Sequence, residues 1–500
     1  MTDVSVNQQI AKGSYWTVLF RFVEKFISVF STIILARLLI PADFGIIAIG
    51  MVVVGFIDVF RAIGVDAALI QNQNAGRNLY DTAWTFKIIM ALLAASMLAL
   101  VADSAASFFN EPRLAEVLRF LAIGMAVTGF ENIGIIAFRK EMRFNKDFTF
   151  MVSRKLVSFT VTVLSAVILR SYWALVIGSV LTNFYTVALS YYMHHYRPRL
   201  SLASYRELTS FSLWMFANNL LNFAYNSAPQ FIVGRFLPTA ALGHLTVTKD
   251  ICSAATTAIV VPINRAAFPG YAKLSNNLMK LKQSFLGTFS GIVAIVLPAS
   301  FGLYSITHLL VPLALGDAWS ETIPLMEVLA FAAGLTALSE VYGIYVAIGA
   351  ISKLARLTAI KLLIFVPLSL YLLPLNGIEG VVWAYAITSF VVLPLVFFPV
   401  SKRLSLSVYD FFQVVSRPLL ASLIMAVTVR YYIDLAQNLL PELNLILMLA
   451  GAVMVGGTVY VGLLLILWIL VGRPKSIEFF CLEVVQERFE KLRARFRARS

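Results

Sequence analysis

Arg21, Glu24, Ser28 and Thr32 recur at i, i+3, i+7 and i+11, the spacing of one helix face, and Lys25 joins that stripe one turn after Arg21. They sit inside Trp16–Pro41, a run otherwise greasy enough to cross a bilayer. A charge at that depth is costly unless water, a partner or a function receives it. Cations fixed in a cavity with low-dielectric walls attract an anion far more strongly than cations on an open surface. Arginine can also grip phosphate oxygens through two parallel N–H bonds. The chemistry this stripe suits is the capture of an anion in a wet cavity.

Other ionisable residues are embedded in apolar runs. The basic ones are Arg61, Arg119, Arg154, Lys155, Lys249 and Lys361; the acidic ones are Asp58, Glu131, Asp250, Glu327 and Glu340. With Glu24, these carboxylates are candidates for coupling, because a desolvated carboxylate holds its proton more tightly. Internal pairing is the other use of such acids, and Asp58 and Arg61 at i, i+3 fit it. Snorkelling to the interface is the other use of the long cations, and Arg119, at an outer span end, fits that. His194-His195 marks a span end rather than a metal site. There is no HExxH, no GxxxxGK[ST] and no Cys/His cluster. Neither ATP hydrolysis nor a cofactor has support, and the two cysteines, Cys252 and Cys481, do not suggest a structural disulfide.

The elements that must position these residues are membrane helices. Of 500 residues, 60% are hydrophobic and only 13% are charged, with a mean hydropathy of +0.84, far from the balance of a soluble domain. Fourteen apolar stretches are long enough to span: 15–37, 44–64, 84–102, 114–138, 148–169, 172–193, 209–234, 241–262, 284–311, 322–348, 354–373, 378–399, 415–434 and 444–471. With the amino terminus inside, the inner connections hold eighteen Lys and Arg and the outer ones five. The positive-inside rule then puts both termini in the cytoplasm. Much of the +14 net charge is therefore topology rather than a nucleic-acid site. No connection is long enough for a soluble domain. The tail, 473–500, reads as a basic amphipathic helix on the inner leaflet or as a solvated basic tail.

The chain also repeats. IILARLLIPADFG (33–45) matches FIVGRFLPTAALG (231–243) at a shift of 198. Glu131, Gly134 and Ile135 match Glu340, Gly343 and Ile344, and Trp173-Ala174 matches Trp383-Ala384. Spans 1–6 and 7–12 thus read as two copies of a six-helix unit inserted in the same direction, related by a pseudo-two-fold axis along the membrane normal. Shifting the stripe of span 1 by 198 gives Asn219, Asn222, Asn226 and Gln230, again one polar face. Two polar faces in register call for a wet cavity between the copies, where sites lie in repeat-built membrane proteins; polar packing within the bundle is the other reading. Pro229, Pro262, Pro298, Pro367 and Pro394 fall within or at the ends of second-copy spans, which predicts a bent second lobe against a straighter first.

The span-1 ending ARLLIPADFGIIAIG, its partner GRFLPTAALGHLTV, the twelve-plus-two span count and the basic first lobe resemble the polysaccharide exporters of the multidrug/oligosaccharidyl-lipid/polysaccharide superfamily over approximately residues 10–470. The resemblance implies an all-α polytopic membrane protein: an N-lobe (1–208), a C-lobe (209–400), two further spans (401–472) and the tail. It implies alternating access around a central cavity. The cargo it implies is an oligosaccharide on a polyprenyl pyrophosphate, turned from the inner to the outer leaflet of the bacterial plasma membrane. Arg21, Lys25, Arg61, Arg154, Lys155, Lys249 and Lys361, with Asn219, Asn222 and Asn226, are then the candidate substrate contacts. Membrane lipids and a polysaccharide polymerase with its chain-length machinery are the candidate partners. A small-molecule or drug extruder of the same superfamily, and a membrane polymerase or assembly scaffold, are the alternatives. The first would favour an acidic aromatic cavity, and a polymerase would favour a large outer loop; the sequence has basic cavity candidates and short outer loops.

Overall fold

The computed structural model describes residues 3–61, 69–70, 72, 75–205, 213–350, 352–439 and 444–472. The tail, 473–500, lies outside the described residues. Over the described residues, each apolar segment read from the sequence falls on a helix or a broken pair of helices, and the described residues contain no strand. The first six spans correspond to α1 (Asp3–Leu38), α2 (Pro41–Arg61), α3 (Arg77–Phe108), α4 (Arg113–Thr128) with α5 (Ile136–Lys140), α6 (Phe144–Leu169) and α7 (Trp173–Met193). The next are α8 (Leu213–Phe236), α9 (Thr239–Ala255) with α10 (Thr257–Leu274), α11 (Leu278–Ala314), α12 (Thr322–Leu338) with α13 (Tyr342–Ala347), and α14 (Ser352–Leu404). Two more, α15 (Val408–Leu439) and α16 (Leu445–Leu470), follow the repeat. Within α14 the helix breaks at Asn376 and Gly377, whose φ of +56° is a conformation glycine adopts without strain.

Among the described residues, nine helices are long and apolar enough to cross a membrane, or eleven if each sharply bent pair is one span. Neither α1 nor α8 is in that set, because their polar stripes dilute the apolar run. The count of fourteen depends on including both and on reading α14 as two.

The two sharply bent helix pairs do not break at a proline. The larger of the two breaks, 66°, separates α4 from Ile133–Lys140 in the first copy, which has no internal proline; that between α9 and α10 is 43° and falls before Pro262. Sharp bending is thus found in both copies and needs no proline in the first. The cause is Asn132, which is fully buried. Its Oδ1 accepts from the Gly134 N–H at 2.9 Å, and its Nδ2 donates to the His194 and Tyr196 carbonyls. Bonds that would continue the helix are replaced by a side chain, an alternative that asparagine offers the backbone.

Two compact units divide the chain: Met1–Asp250 with Ala314–Thr322 and Thr358–Ala384, and Ile251–Leu313 with Ile323–Leu357 and Tyr385–Ser500. In the first unit the repeated motifs meet. A Cβ on Gly45 would overlap the Thr239 carbonyl oxygen, and one on Gly243 would overlap the Pro41 carbonyl oxygen. Pro41 and Thr239 are repeat partners, as are Gly45 and Gly243, so the contact is reciprocal in the manner of a two-fold interface. Further bonds tie both motifs down. Arg37 Nε donates to the Ala314 carbonyl at 3.2 Å and Trp319 Nε1 to the Ala36 carbonyl at 2.9 Å. Arg235 Nη1 reaches the Asn110 side-chain oxygen at 2.8 Å once that amide is oriented to donate to Ser107. Glu111 accepts from Arg113 Nε and Nη2 and from the Thr239 hydroxyl, each at 2.8 Å. The Arg113 bonds, ahead of burial, hold the Glu111 carboxyl below the usual carboxylate range.

At the other end of α3, residues 194–205 run back across its first turns. Tyr196 Oη and the Arg199 N–H donate to Asp81 Oδ1 at 2.7 and 2.9 Å, and the Ser201 N–H to Thr85 Oγ1 at 2.9 Å. Burial, ahead of the Asp81 bond, raises the Tyr196 hydroxyl above its ordinary range, and burial lowers the His194 imidazole below its own. In the second unit, α15 and α16 pack on α11 through Leu309, Met425, Val429, Ile433, Met448 and Ala452.

Candidate functional site

A cavity of about 670 Å³ lies in the first unit, lined by residues between Phe20 and Asn183 that come from α1 through α7 and the Asn132 break. Close helix approach shapes it. A Cβ on Gly178 of α7 would overlap Thr162 Oγ1 of α6, and one on Gly124 of α4 would press on Asn183.

Seven charged side chains line the cavity: Arg21 and Glu24 from α1, Lys87 from α3, Glu131 at the helix break, Arg139 from α5, and Arg154 and Lys155 from α6. Arg21 Nη1 donates to Glu24 Oε2 at 2.9 Å. Lys87 Nζ lies 3.8 Å from Glu131 Oε2, and Arg139 Nε donates to Asp147 Oδ1 at 3.1 Å. Arg154 and Lys155 differ. Among the described residues neither has an ion-pair partner within 4.0 Å, and Lys155 feels Glu24 and Asp250 only through the longer-range field it shares with Lys25 and Arg154. Hydroxyls and an amide complete the wall: Ser158 and Thr162 on α6, and Ser179, Thr182 and Asn183 on α7. The arrangement offers two uncommitted positive charges beside neutral donors and acceptors of the kind that sugar hydroxyls pair with.

Of the residues singled out in the sequence, Arg21, Glu24, Glu131, Arg154 and Lys155 are brought together on this wall. Others stand apart from it. Lys25, Lys249 and Lys155 all act electrostatically on Asp250, and Lys249 Nζ donates to the Asn226 carbonyl at 3.0 Å. Lys361 lies over the Tyr225 ring, 5.5 Å from its centroid. Arg61 is 3.0 Å from Asp58 and donates to Thr128 Oγ1 at 2.7 Å, the internal pairing that their spacing suggests. Asn222 donates to the Asn218 carbonyl, and neither it nor Asn219 or Asn226 is among the lining residues. In the second unit Glu327 pairs with Arg430 at 2.6 Å, and the Glu340 carbonyl accepts from Asn264 Nδ2. Arg119 is paired with Asp103 at 2.7 Å.

Lys87, Arg139, Asn132 and Asn183 line the cavity but escape the sequence reading. The two cations read as inner-loop charge, and only the 66° turn brings Arg139 to the wall. Asn132 carried a signal that was available, since it directly follows the repeat-matched Glu131.

Comparison with known proteins agrees with this architecture. The succinoglycan biosynthesis transport protein ExoT of Rhizobium meliloti is 23% identical over 480 residues, 93% of this chain and 94% of that one. The teichuronic acid biosynthesis protein TuaB of Bacillus subtilis is 22% identical over 428 residues, 85% and 89% of the two chains. The lipopolysaccharide biosynthesis protein WzxC of Escherichia coli is 23% identical over 334 residues, 65% and 67%. In fold, the chain is similar to the lipid II flippase MurJ in an inward closed conformation, with a TM-score of 0.71 over 92% of this chain and 99% of that one at 13% identity. An inward-facing MATE-family multidrug transporter of the MOP superfamily gives 0.56 over 78% and 98% at 14% identity. The profile of one family, described as polysaccharide biosynthesis protein, matches residues 34–324. With more than half of its length matched, this multi-pass membrane chain belongs to the polysaccharide biosynthesis protein family.

Proposed function

We propose that the protein turns an oligosaccharide linked to a polyprenyl pyrophosphate from the inner to the outer leaflet of the bacterial plasma membrane. Two six-helix lobes, 1–208 and 209–400, alternate their access, and both termini are cytoplasmic. The carrying observation is the pair Arg154 and Lys155, cations in the cavity wall with no ion-pair partner among the described residues. A pyrophosphate supplies the charge they lack, and an arginine fork suits its oxygens. Arg21–Glu24 and Lys87–Glu131 flank them as pairs a second phosphate can open. The Ser179, Thr182 and Asn183 strip receives sugar hydroxyls, and Lys25, Lys249 and Lys361 form the next set of cations along the route. The names of ExoT, a transport protein for succinoglycan biosynthesis, and of MurJ, a lipid II flippase, support a lipid-linked glycan as cargo. A lining with five cations against two carboxylates disfavours the organic cations a drug extruder takes.

The test is reconstitution. Proteoliposomes loaded with a fluorescent lipid-linked oligosaccharide are followed by exposure of the label to an impermeant quencher, without ATP. Movement above protein-free liposomes is expected; its absence under proton, sodium and potential gradients alike would leave the assembly-scaffold reading in its place.

A further inference from the structure

The second unit holds a cationic group with no part in the cavity chemistry above. On α15, the Arg430 guanidinium lies over the Tyr304 ring of α11, 4.0 Å from its centroid. Its Nη2 donates to Glu327 Oε1 of α12 at 2.6 Å. The same carboxylate oxygen is 3.4 Å from His308 Nε2 on α11. Among the described residues these are the side-chain partners of Arg430 and His308, so Nε and Nη1 of the guanidinium and Nδ1 of the imidazole remain free. Both groups are accessible, Arg430 at 40% and His308 at 60%, whereas Glu327 is at 26%. Leu309 and Val429, the chain neighbours of His308 and Arg430, and Ile433, three residues on from Arg430, join a buried apolar cluster with α16.

An arginine kept in a span only to neutralise a carboxylate gains most by turning its whole fork onto it, because bidentate pairing is the stronger geometry. Here one edge is held by Glu327, the face is held by Tyr304, and the other edge is left open next to residues of an apolar cluster. Stacking and the single carboxylate bond fix the fork in advance, so a ligand need not order it on binding. These positions lie at the ends of α11, α12 and α15 that the positive-inside count assigns to the outside. A group that offers anion-binding donors on its polar side and apolar side chains below has the profile of a lipid headgroup seat.

We infer that Arg430, His308 and Tyr304 form a docking site for the phosphate headgroup of a lipid in the outer leaflet, with Glu327 holding the guanidinium in aim while the site is empty. The phosphate can come from a polyprenyl carrier or from an ordinary anionic phospholipid, and the site does not depend on the cargo proposed for the cavity.

Photo-crosslinking of the full chain in nanodiscs tests it. Arg154→Gln/Lys155→Gln is the background, so that the cavity does not contribute. The probes are diazirine-bearing farnesyl phosphate and diazirine-bearing phosphatidic acid, with inorganic phosphate as competitor. Labelled peptides are expected within 300–312 and 424–436. Arg430→Gln should reduce labelling about tenfold or more, as loss of a charged hydrogen-bond donor does, while Glu327→Gln leaves it intact or raises it. Preference for the farnesyl probe identifies the carrier as the source, and equal labelling by both identifies bulk phospholipid. The inference fails if Arg430→Gln, at an unchanged unfolding temperature, labels as its parent does, or if labelling maps elsewhere. It fails equally if Glu327→Gln and Arg430→Gln lower the unfolding temperature alike and neither alters labelling, since that is an internal ion pair.

Discussion

Among the described residues, Arg154 and Lys155 are the cavity cations without an ion pair, because Arg21, Lys87 and Arg139 each face a carboxylate within 4.0 Å. Charges already paired give a ligand little net attraction until the pair opens, so the two uncommitted ones should dominate affinity. Arg154→Gln and Lys155→Gln should each weaken binding of a prenyl pyrophosphate about tenfold, and the double variant more. Arg61→Gln should leave affinity within about twofold, since that guanidinium is held by Asp58 and Thr128. Titration of purified protein with the labelled lipid checks both; a loss at Arg61 equal to that at Lys155 would reverse the assignment. Glu111 makes a pH prediction. Its folded value is depressed, so its stabilisation is complete above the unfolded value of about 4.3 and is lost as pH falls through the lower folded value. Glu111→Gln should unfold at lower temperature near neutrality, by about 1–2 kcal/mol, and should lack part of the parent's loss on acidification. Spacing alone made the Arg21 stripe legible. It could not show which cations were already paired, because Asp147 reaches Arg139 only across the turn between α5 and α6.

At the scale of elements, the repeat was legible because Arg37, Gly45, Arg235 and Gly243 keep their register; that the two glycines face each other's partner carbonyls was not. Neither Cβ could be relieved by a rotamer change, since the obstacle is backbone. Gly45→Ala and Gly243→Ala should therefore each cost about 1–3 kcal/mol, and by similar amounts, measured as thermal unfolding in detergent. A silent substitution at either would show that the contact is not reciprocal. The bend at Asn132 is hidden from the sequence for a physical reason. Proline announces a break by what it lacks, whereas Asn132 makes one by what its amide captures, and its captured carbonyls lie more than sixty residues away. Asn132→Ala leaves the buried Gly134 N–H unpaired and takes from the His194 and Tyr196 carbonyls one of their donors, the other being Arg197 Nη1, with an expected loss of about 1–3 kcal/mol and faster hydrogen exchange in 194–205.

At the scale of the molecule, helix content, the repeat and the class of protein were all readable from composition and register, and the ExoT alignment runs over 93% of the chain. Sidedness rests on charge counting. A cysteine introduced at Asn277 should react with an impermeant maleimide only from the cytoplasmic side, and one at Asp317 only from the periplasmic side; the opposite pattern would invert every leaflet assigned above. A contact that maps onto itself when the halves are exchanged is one that two separate, identical polypeptides could also make. Tying the halves into one chain removes the need for sameness: a change in one copy no longer strikes twice. The sequence has used that freedom, keeping the glycine motif in both copies while Arg21 and Glu24 in one stand where Asn219 and Asn222 stand in the other. Asymmetry of charge on a symmetric scaffold is what fusion makes available.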